Sequence, residues 1–167
     1  LSAREQPLQE APVSNVELTP VRDAHRFDEA RLAAYLERQV PGYAGPLTVE
    51  QFEGGQSNPT FRLSTGNARY VLRKQPPGDL LPSAHQVDRE YRVMKALEHS
   101  DVPVPRMVCL CEDPAVIGTK FYVMELVEGR VFAETLLPGL SPAERRAIYL
   151  DLARVLACLH RVDPATV

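Results

Sequence analysis

The sequence predicts an α+β fold: a five-stranded antiparallel sheet with a helix inserted after the third strand, and further helix after the fifth. Three observations carry this. Thr48-Val49-Glu50-Gln51-Phe52, Phe61-Arg62-Leu63-Ser64 and Tyr70-Val71-Leu72-Arg73-Lys74 alternate in side-chain character, and Gly66-Asn67 between the last two is a hairpin signal. Ser83 to His99 then carries apolar residues at helical spacing. Two more strand patterns follow, about Arg106 to Glu112 and Lys120 to Val127, joined by a loop with Asp113-Pro114 and Gly118.

Taken in order, Leu1 to Asp23 is rich in Gln, Glu and Pro and lacks periodicity, so residues 1–23 are expected to be a flexible or surface-wrapped leader. A first helix is predicted from about Asp28 to Val40. Leu32, Leu36 with Tyr35, and Val40 form its stripe, Asp28 can cap it, and Pro41-Gly42 stops it. After the third strand, Gln75-Pro76-Pro77-Gly78 is too stiff and donor-poor to continue a ladder. The inserted helix takes Ser83 as its expected cap and Val87, Tyr91, Met94 and Leu97 as its apolar stripe. Val102-Pro103-Val104-Pro105 reads as an extended connector. Phe121 to Leu126 is nearly continuous in apolar character, as a strand buried on both faces would be. Ser141-Pro142-Ala143-Glu144 offers a cap, a first-turn proline and a capping-box Glu; Ile148, Leu152, Val155 and Leu159 would be the buried stripe of the helix that follows.

The 167 residues suit one domain or two small lobes. A net charge of −3 and a pI near 5.8 argue against a broad nucleic-acid surface, which needs clustered excess Lys and Arg. No apolar run approaches the roughly 18 to 20 residues of a membrane span, and the first residues have no signal-peptide core. Cys109, Cys111 and Cys158 are an odd set without zinc-finger spacing, read as reduced structural thiols of a cytoplasmic protein. His25, His85 and His99 show no ligand spacing and are read as surface or loop residues.

Two features point to chemistry. Between the first two strands lies Glu53-Gly54-Gly55-Gln56-Ser57-Asn58-Pro59-Thr60. Adjacent glycines let backbone approach a ligand, and Gln56, Ser57 and Asn58 supply donors suited to phosphate oxygens. The third strand ends on Arg73 and Lys74, and Glu90 falls inside the apolar stripe of the inserted helix. A carboxylate on a core-facing side requires a cation, and Arg73 or Lys74 is the nearest candidate. The plainer alternative is a three-stranded meander with a glycine-rich turn.

Together, Gly54-Gly55-Gln56-Ser57-Asn58-Pro59-Thr60, Tyr70-Val71-Leu72-Arg73-Lys74, Arg89-Glu90-Tyr91 and Phe121 to Arg130 resemble the aminoglycoside phosphotransferase family, in the branch related to the kinase-like domain fused to some acyl-CoA dehydrogenases. The resemblance runs from about Phe27 to Val167. It implies a protein-kinase-like amino-terminal lobe over residues 24–127, then a hinge and the first helices of a carboxy-terminal lobe over 128–167. Gly54, Gly55, Gln56, Ser57 and Asn58 would cover the ATP phosphates. Arg73 would hold the α/β-phosphates and pair with Glu90, a departure from the family's lysine that replaces a compact ammonium with a planar fork. Lys74 lies on the opposite strand face. Val71 would pack on the adenine and Met124 at the back of its pocket, with the Glu125 carbonyl and the Val127 backbone reading the adenine edge.

The implied activity is transfer of the γ-phosphoryl group of Mg-ATP to the hydroxyl of a small molecule, an aminoglycoside or a hydroxyacyl or other metabolite. The family's catalytic and magnesium-binding loop has the form H-x-D-x-x-x-x-N. His160-Arg161-Val162-Asp163 has a His-to-Asp spacing of three instead of two, so His160 is read as a helix-end residue. No catalytic or metal-binding residue is expected within this chain, which would be inactive alone. A non-catalytic kinase-like nucleotide-binding or interaction module is the alternative. The apolar face of the last helix, normally packed against the rest of its lobe, would favour self-association if exposed.

Overall fold

The computed structural model describes residues 16–53, 57–78, 81 and 84–167. Six strands form one antiparallel sheet: β1 (Leu18–Thr19), β2 (Thr48–Phe52), β3 (Thr60–Ser64), β4 (Arg69–Lys74), β5 (Met107–Cys111) and β6 (Phe121–Glu125). Their order across the sheet is β1-β2-β3-β4-β6-β5. Helix α1 (Glu29–Gln39) precedes β2, α2 (Val87–Leu97) lies between β4 and β5, and α3 (Pro142–His160) follows the sheet.

The pleat separates the two sides. On one, Phe61, Leu63, Leu72, Phe121, Val123, Cys109 and Cys111 form the larger core with Leu32, Leu36 and Val40 of the α1 segment. Edge-on ring contacts, Phe27 with Phe61 at 5.3 Å and Tyr35 with Phe121 at 5.5 Å, tighten it. On the other, Met107 and Tyr122 meet Val87 of α2, flanked by Tyr91, Met94 and Met124. The two helices therefore cover opposite faces, and α2 lies on the side to which Val71 and Arg73 project. All three cysteines are free and buried. Burial first, and then neighbouring Cys111, pushes the Cys109 thiol up to about 12, so it stays protonated.

Three expectations need correction. The sheet has a sixth strand, because the end of the leader joins it: Leu18 pairs with Phe52 and Thr19 with Gln51. The buried Gln51 side chain pins this segment, its Oε1 accepting from the Arg22 N–H at 3.1 Å and its Nε2 lying 2.8 Å from His25 Nδ1. A two-residue strand leaves no periodicity to read. Helix α2 begins at Val87, not near Ser83, which lies outside the described residues; His85 adopts φ 57°, which no right-handed helix can include. Third, the α3 stripe is only partly covered: Ile148 and Val155 are half-buried, Leu152 is 60% and Leu159 44% exposed, and the buried residue of that helix is Cys158. The start of α3 is as expected, with Ser141 Oγ accepting from Glu144 N–H and Glu144 Oε2 accepting from Ser141 N–H at 2.8 Å. Among the described residues no helix is long and apolar enough to cross a membrane.

The end of α2 is anchored by Glu98. Its carboxylate accepts from the Met107 N–H at the start of β5 and from the Lys95 ammonium at 2.8 Å, with the side chain 11% exposed. These contacts, the Lys95 hydrogen bond foremost, hold its pKa below the usual carboxylate range. A depressed folded-state pKa contributes stability that is present above the unfolded carboxylate value and lost as pH falls through the folded one. Glu98→Gln should therefore lower the urea midpoint at pH 7, and its deficit against wild type should close as pH drops below the carboxylate range; a deficit constant with pH would refute the charge argument. Burial predicts a second contrast. Leu72→Ala, at a fully buried position, should cost about 2–5 kcal/mol by urea unfolding. Leu152→Ala should cost under about 0.5 kcal/mol in the same chain, as at other exposed positions.

Candidate functional site

The site is built where β4 meets α2. Residues two apart on a strand share a side, so Val71 and Arg73 face the same way. Lys74 turns into the opposite core, where it is buried with its Nζ 5.3 Å from the centre of the Phe27 ring; burial lowers its pKa. Of the two cations at the strand end, Arg73 is the one that meets Glu90.

Arg73 Nε donates to Glu90 Oε2 at 2.9 Å, and its Nη1 donates to Thr60 Oγ1, its cross-strand partner, at 3.2 Å. The Thr60 hydroxyl in turn donates to the Asn58 carbonyl at 3.1 Å. Glu90 accepts two more bonds, from the Tyr122 hydroxyl at 3.1 Å on Oε2 and from Asn58 Nδ2 at 3.0 Å on Oε1. With the two charged side chains 29% and 35% exposed, this is a half-buried pair whose desolvation is offset by neutral donors. Burial and the adjacent Glu90 charge raise the Tyr122 pKa above its ordinary range, so the phenol remains a donor.

Beside the pair opens a cleft of about 620 Å³ lined by Leu18, Phe52, Thr60, Arg62, Val71 and Arg73, and by residues 126–131. Two of its other arginines are also held by acids, and Arg130 lies over the Phe132 ring. Arg62 Nε donates to Glu50 at 3.0 Å, and Arg69 pairs with Glu128, tying β4 to the segment after β6. Such pairing fixes the guanidinium planes while leaving the cleft wall rich in N–H donors.

Not every expected residue takes the expected place. Gly54, Gly55 and Gln56 lie outside the described residues. Ser57 is exposed. Asn58 was expected to present its side chain to phosphate; it is buried, with Nδ2 on Glu90 and Oδ1 2.9 Å from His85 Nδ1. Met124 pairs with Val71 across β4 and β6 and lines two neighbouring hollows, not the larger cleft. Val127 lines the cleft and is exposed, and Glu125 lies at the end of β6 with its N–H donating to the Arg106 carbonyl at 2.9 Å. Thr60, Tyr122 and His85 were not anticipated as part of this network. Thr60 and Tyr122 were legible in principle, since each is the register partner of Arg73 on an adjoining strand. His85 had no sequence signal.

Residues 48–167 match the model of the phosphotransferase enzyme family. The chain is 52% identical to rat acyl-CoA dehydrogenase family member 11 over 83% of its own length, and 50% identical to the human protein of that name over 88%. It is 51% identical to the Arabidopsis thaliana protein described as probable acyl-CoA dehydrogenase IBR3, over 87%. It spans 18–19% of the length of these relatives. A crystal structure from Ralstonia eutropha, assigned as an aminoglycoside phosphotransferase, superposes with a TM-score of 0.70 at 53% identity, over 83% of this chain and 39% of that one. The sheet with its inserted helix is thus that of a kinase-like phosphotransferase, and the chain belongs to the phosphotransferase enzyme family.

Proposed function

We propose that the cleft beside Arg73 binds the nucleotide of Mg-ATP and that the protein carrying this chain transfers the γ-phosphoryl group to the hydroxyl of a small molecule. The observation that supports this most directly is the Arg73–Glu90 ion pair at one end of a cleft whose other end is the strand exit at residues 126–131. A guanidinium whose Nε and Nη1 are already held presents its remaining N–H groups in a fixed direction, which suits phosphate oxygens. Val71 supplies an apolar wall at adenine depth, between that cation and the backbone of Glu125 and Val127. Gly54 to Ser57 would close over the phosphates from the β2–β3 side.

Magnesium enters with the nucleotide. Among the described residues no group of three or more His, Cys, Asp or Glu side chains could hold a metal ion. The ion would ride on the nucleotide's own phosphate oxygens and on ligands that this reading assigns elsewhere in the full-length protein. When bound it neutralises developing charge on the transferred group. This chain's contribution is to bind and orient the nucleotide.

The names of the relatives direct the search for an acceptor towards hydroxyls borne on acyl chains, beside an aminoglycoside. Calorimetric titration should show Mg-ATP binding to the chain. Arg73→Ala and Glu90→Ala should each weaken it about 10- to 100-fold, the range expected for losing charge-assisted hydrogen bonds. Unchanged affinity in both variants would remove this pair from the nucleotide site. Phosphotransfer by the full-length protein to a panel of hydroxy-acyl and aminoglycoside acceptors should give turnover with at least one; binding without turnover would favour a nucleotide-binding module.

A further inference from the structure

We propose that His85 and Asn58 are positioning residues that set the orientation of the Glu90 carboxylate, and through it of the Arg73 guanidinium. The argument begins with donor and acceptor chemistry. An ionised carboxylate only accepts, so the Asn58 group 3.0 Å from Glu90 Oε1 is its NH₂, which turns the Asn58 carbonyl oxygen towards His85 at 2.9 Å. That oxygen also only accepts. His85 Nδ1 must therefore carry a proton, and the order of donation runs from His85 to Asn58 to Glu90.

The amide that transmits it is enclosed: Asn58 is 2% exposed, and an amide that lost either partner there would be left unsatisfied. The far end is also fixed. The His85 carbonyl accepts from Gln75 Nε2 at 3.0 Å and from the Val87 N–H at 2.9 Å. Gln75 follows β4 directly, two residues after Arg73, and its own N–H donates to the Lys120 carbonyl at 3.0 Å. The imidazole is thus referenced to the same strand that carries the arginine. His85 holds this place at φ 57°, a conformation that disfavours most side chains and that glycine adopts freely. A side chain kept where glycine would be easier points to work done by the imidazole and not by the turn. Glu90 Oε1, braced by Asn58, and Oε2, shared by Arg73 and Tyr122, then have fixed roles. The carboxylate cannot rotate without breaking its hydrogen bond to the buried Asn58 amide.

The inference rests on the nucleotide reading only for its functional readout. His85→Gly separates the alternatives, since it removes the imidazole at a backbone conformation that glycine adopts freely. In the full chain labelled with ¹⁵N, the wild-type Arg73 Nε–H should exchange slowly with water, as an ion-paired guanidinium does. His85→Gly should speed that exchange and weaken Mg-ATP binding, each about 2- to 10-fold, while the Arg62 Nε–H, paired with Glu50 elsewhere on the sheet, keeps its wild-type exchange. His85→Asn, which tolerates the left-handed conformation and restores an N–H donor, should recover part of both. Wild-type exchange in His85→Gly would overturn the proposal, as would an equal acceleration at the Arg62 Nε–H, which would mark general loosening of the sheet. If wild type bound no Mg-ATP, the nucleotide reading would fail while the exchange measurement still decided the role of His85.

Discussion

The ion pair between Arg73 and Glu90 is the constraint on which the arrangement of this lobe depends. It joins a central strand to the helix inserted after it, where Asn58 and Tyr122 meet the same carboxylate. Val87 and Leu97 bury the two ends of α2, but the middle of its inward stripe is a carboxylate. Left unpaired at a site one-third exposed, that carboxylate would push the helix off the sheet or draw water beneath it. Paired, it gives the helix a single register. The surrounding donors follow from this: Tyr122 is the cross-strand partner of Arg73, so the residue that fixes the cation from β6 also supplies a phenol to the anion.

The other face of the sheet shows what such a site requires of its scaffold. Phe61, Leu63, Leu72, Phe121 and Val123 are buried against α1, and Lys74, a cation directed there, is held over an aromatic ring. Dispersion and burial stabilise that side without directional demands. The polar network sits on the opposite side of the same four-strand centre, so movement of Arg73 would have to displace β4 from both layers. A rigid strand shared between an apolar core and an ion pair is how a half-exposed guanidinium acquires a fixed direction.

How much of this was legible from residues alone divides along physical lines. Periodicity and turn chemistry placed five strands and three helices to within a few residues, because those signals are local. The Arg73–Glu90 pairing was also readable, since a carboxylate inside an apolar stripe announces its need for a cation. The resemblance then favoured Arg73 over Lys74, and strand alternation put the two on opposite faces. What could not be read depends on contacts distant in sequence. Leu18–Thr19 becomes a strand by pairing with Phe52 and Gln51, far along the chain, and Gln51 also captures the Arg22 N–H. Asn58 looked like a loop donor, and its real partners, Glu90 and His85, lie 32 and 27 residues away. The α3 stripe looked buried because helical spacing reports an apolar face and does not say what covers it.

The arginine at position 73 carries the last step. A lysine ammonium is a compact charge on a flexible stem and could satisfy Glu90 or a phosphate from many directions. A guanidinium has its donors in one plane, so using Nε on Glu90 and Nη1 on Thr60 determines where the rest of that plane lies. Two elements, a helix and a neighbouring strand, therefore aim it together. The consequence is a stricter dependence on Glu90 orientation than a lysine would impose, because a rotated carboxylate would tilt the whole fork. The buried Asn58 amide and the strained His85 backbone are intelligible on those terms. A fork that must point one way needs its anion held still, and the atoms holding it are those that a point charge would not have required.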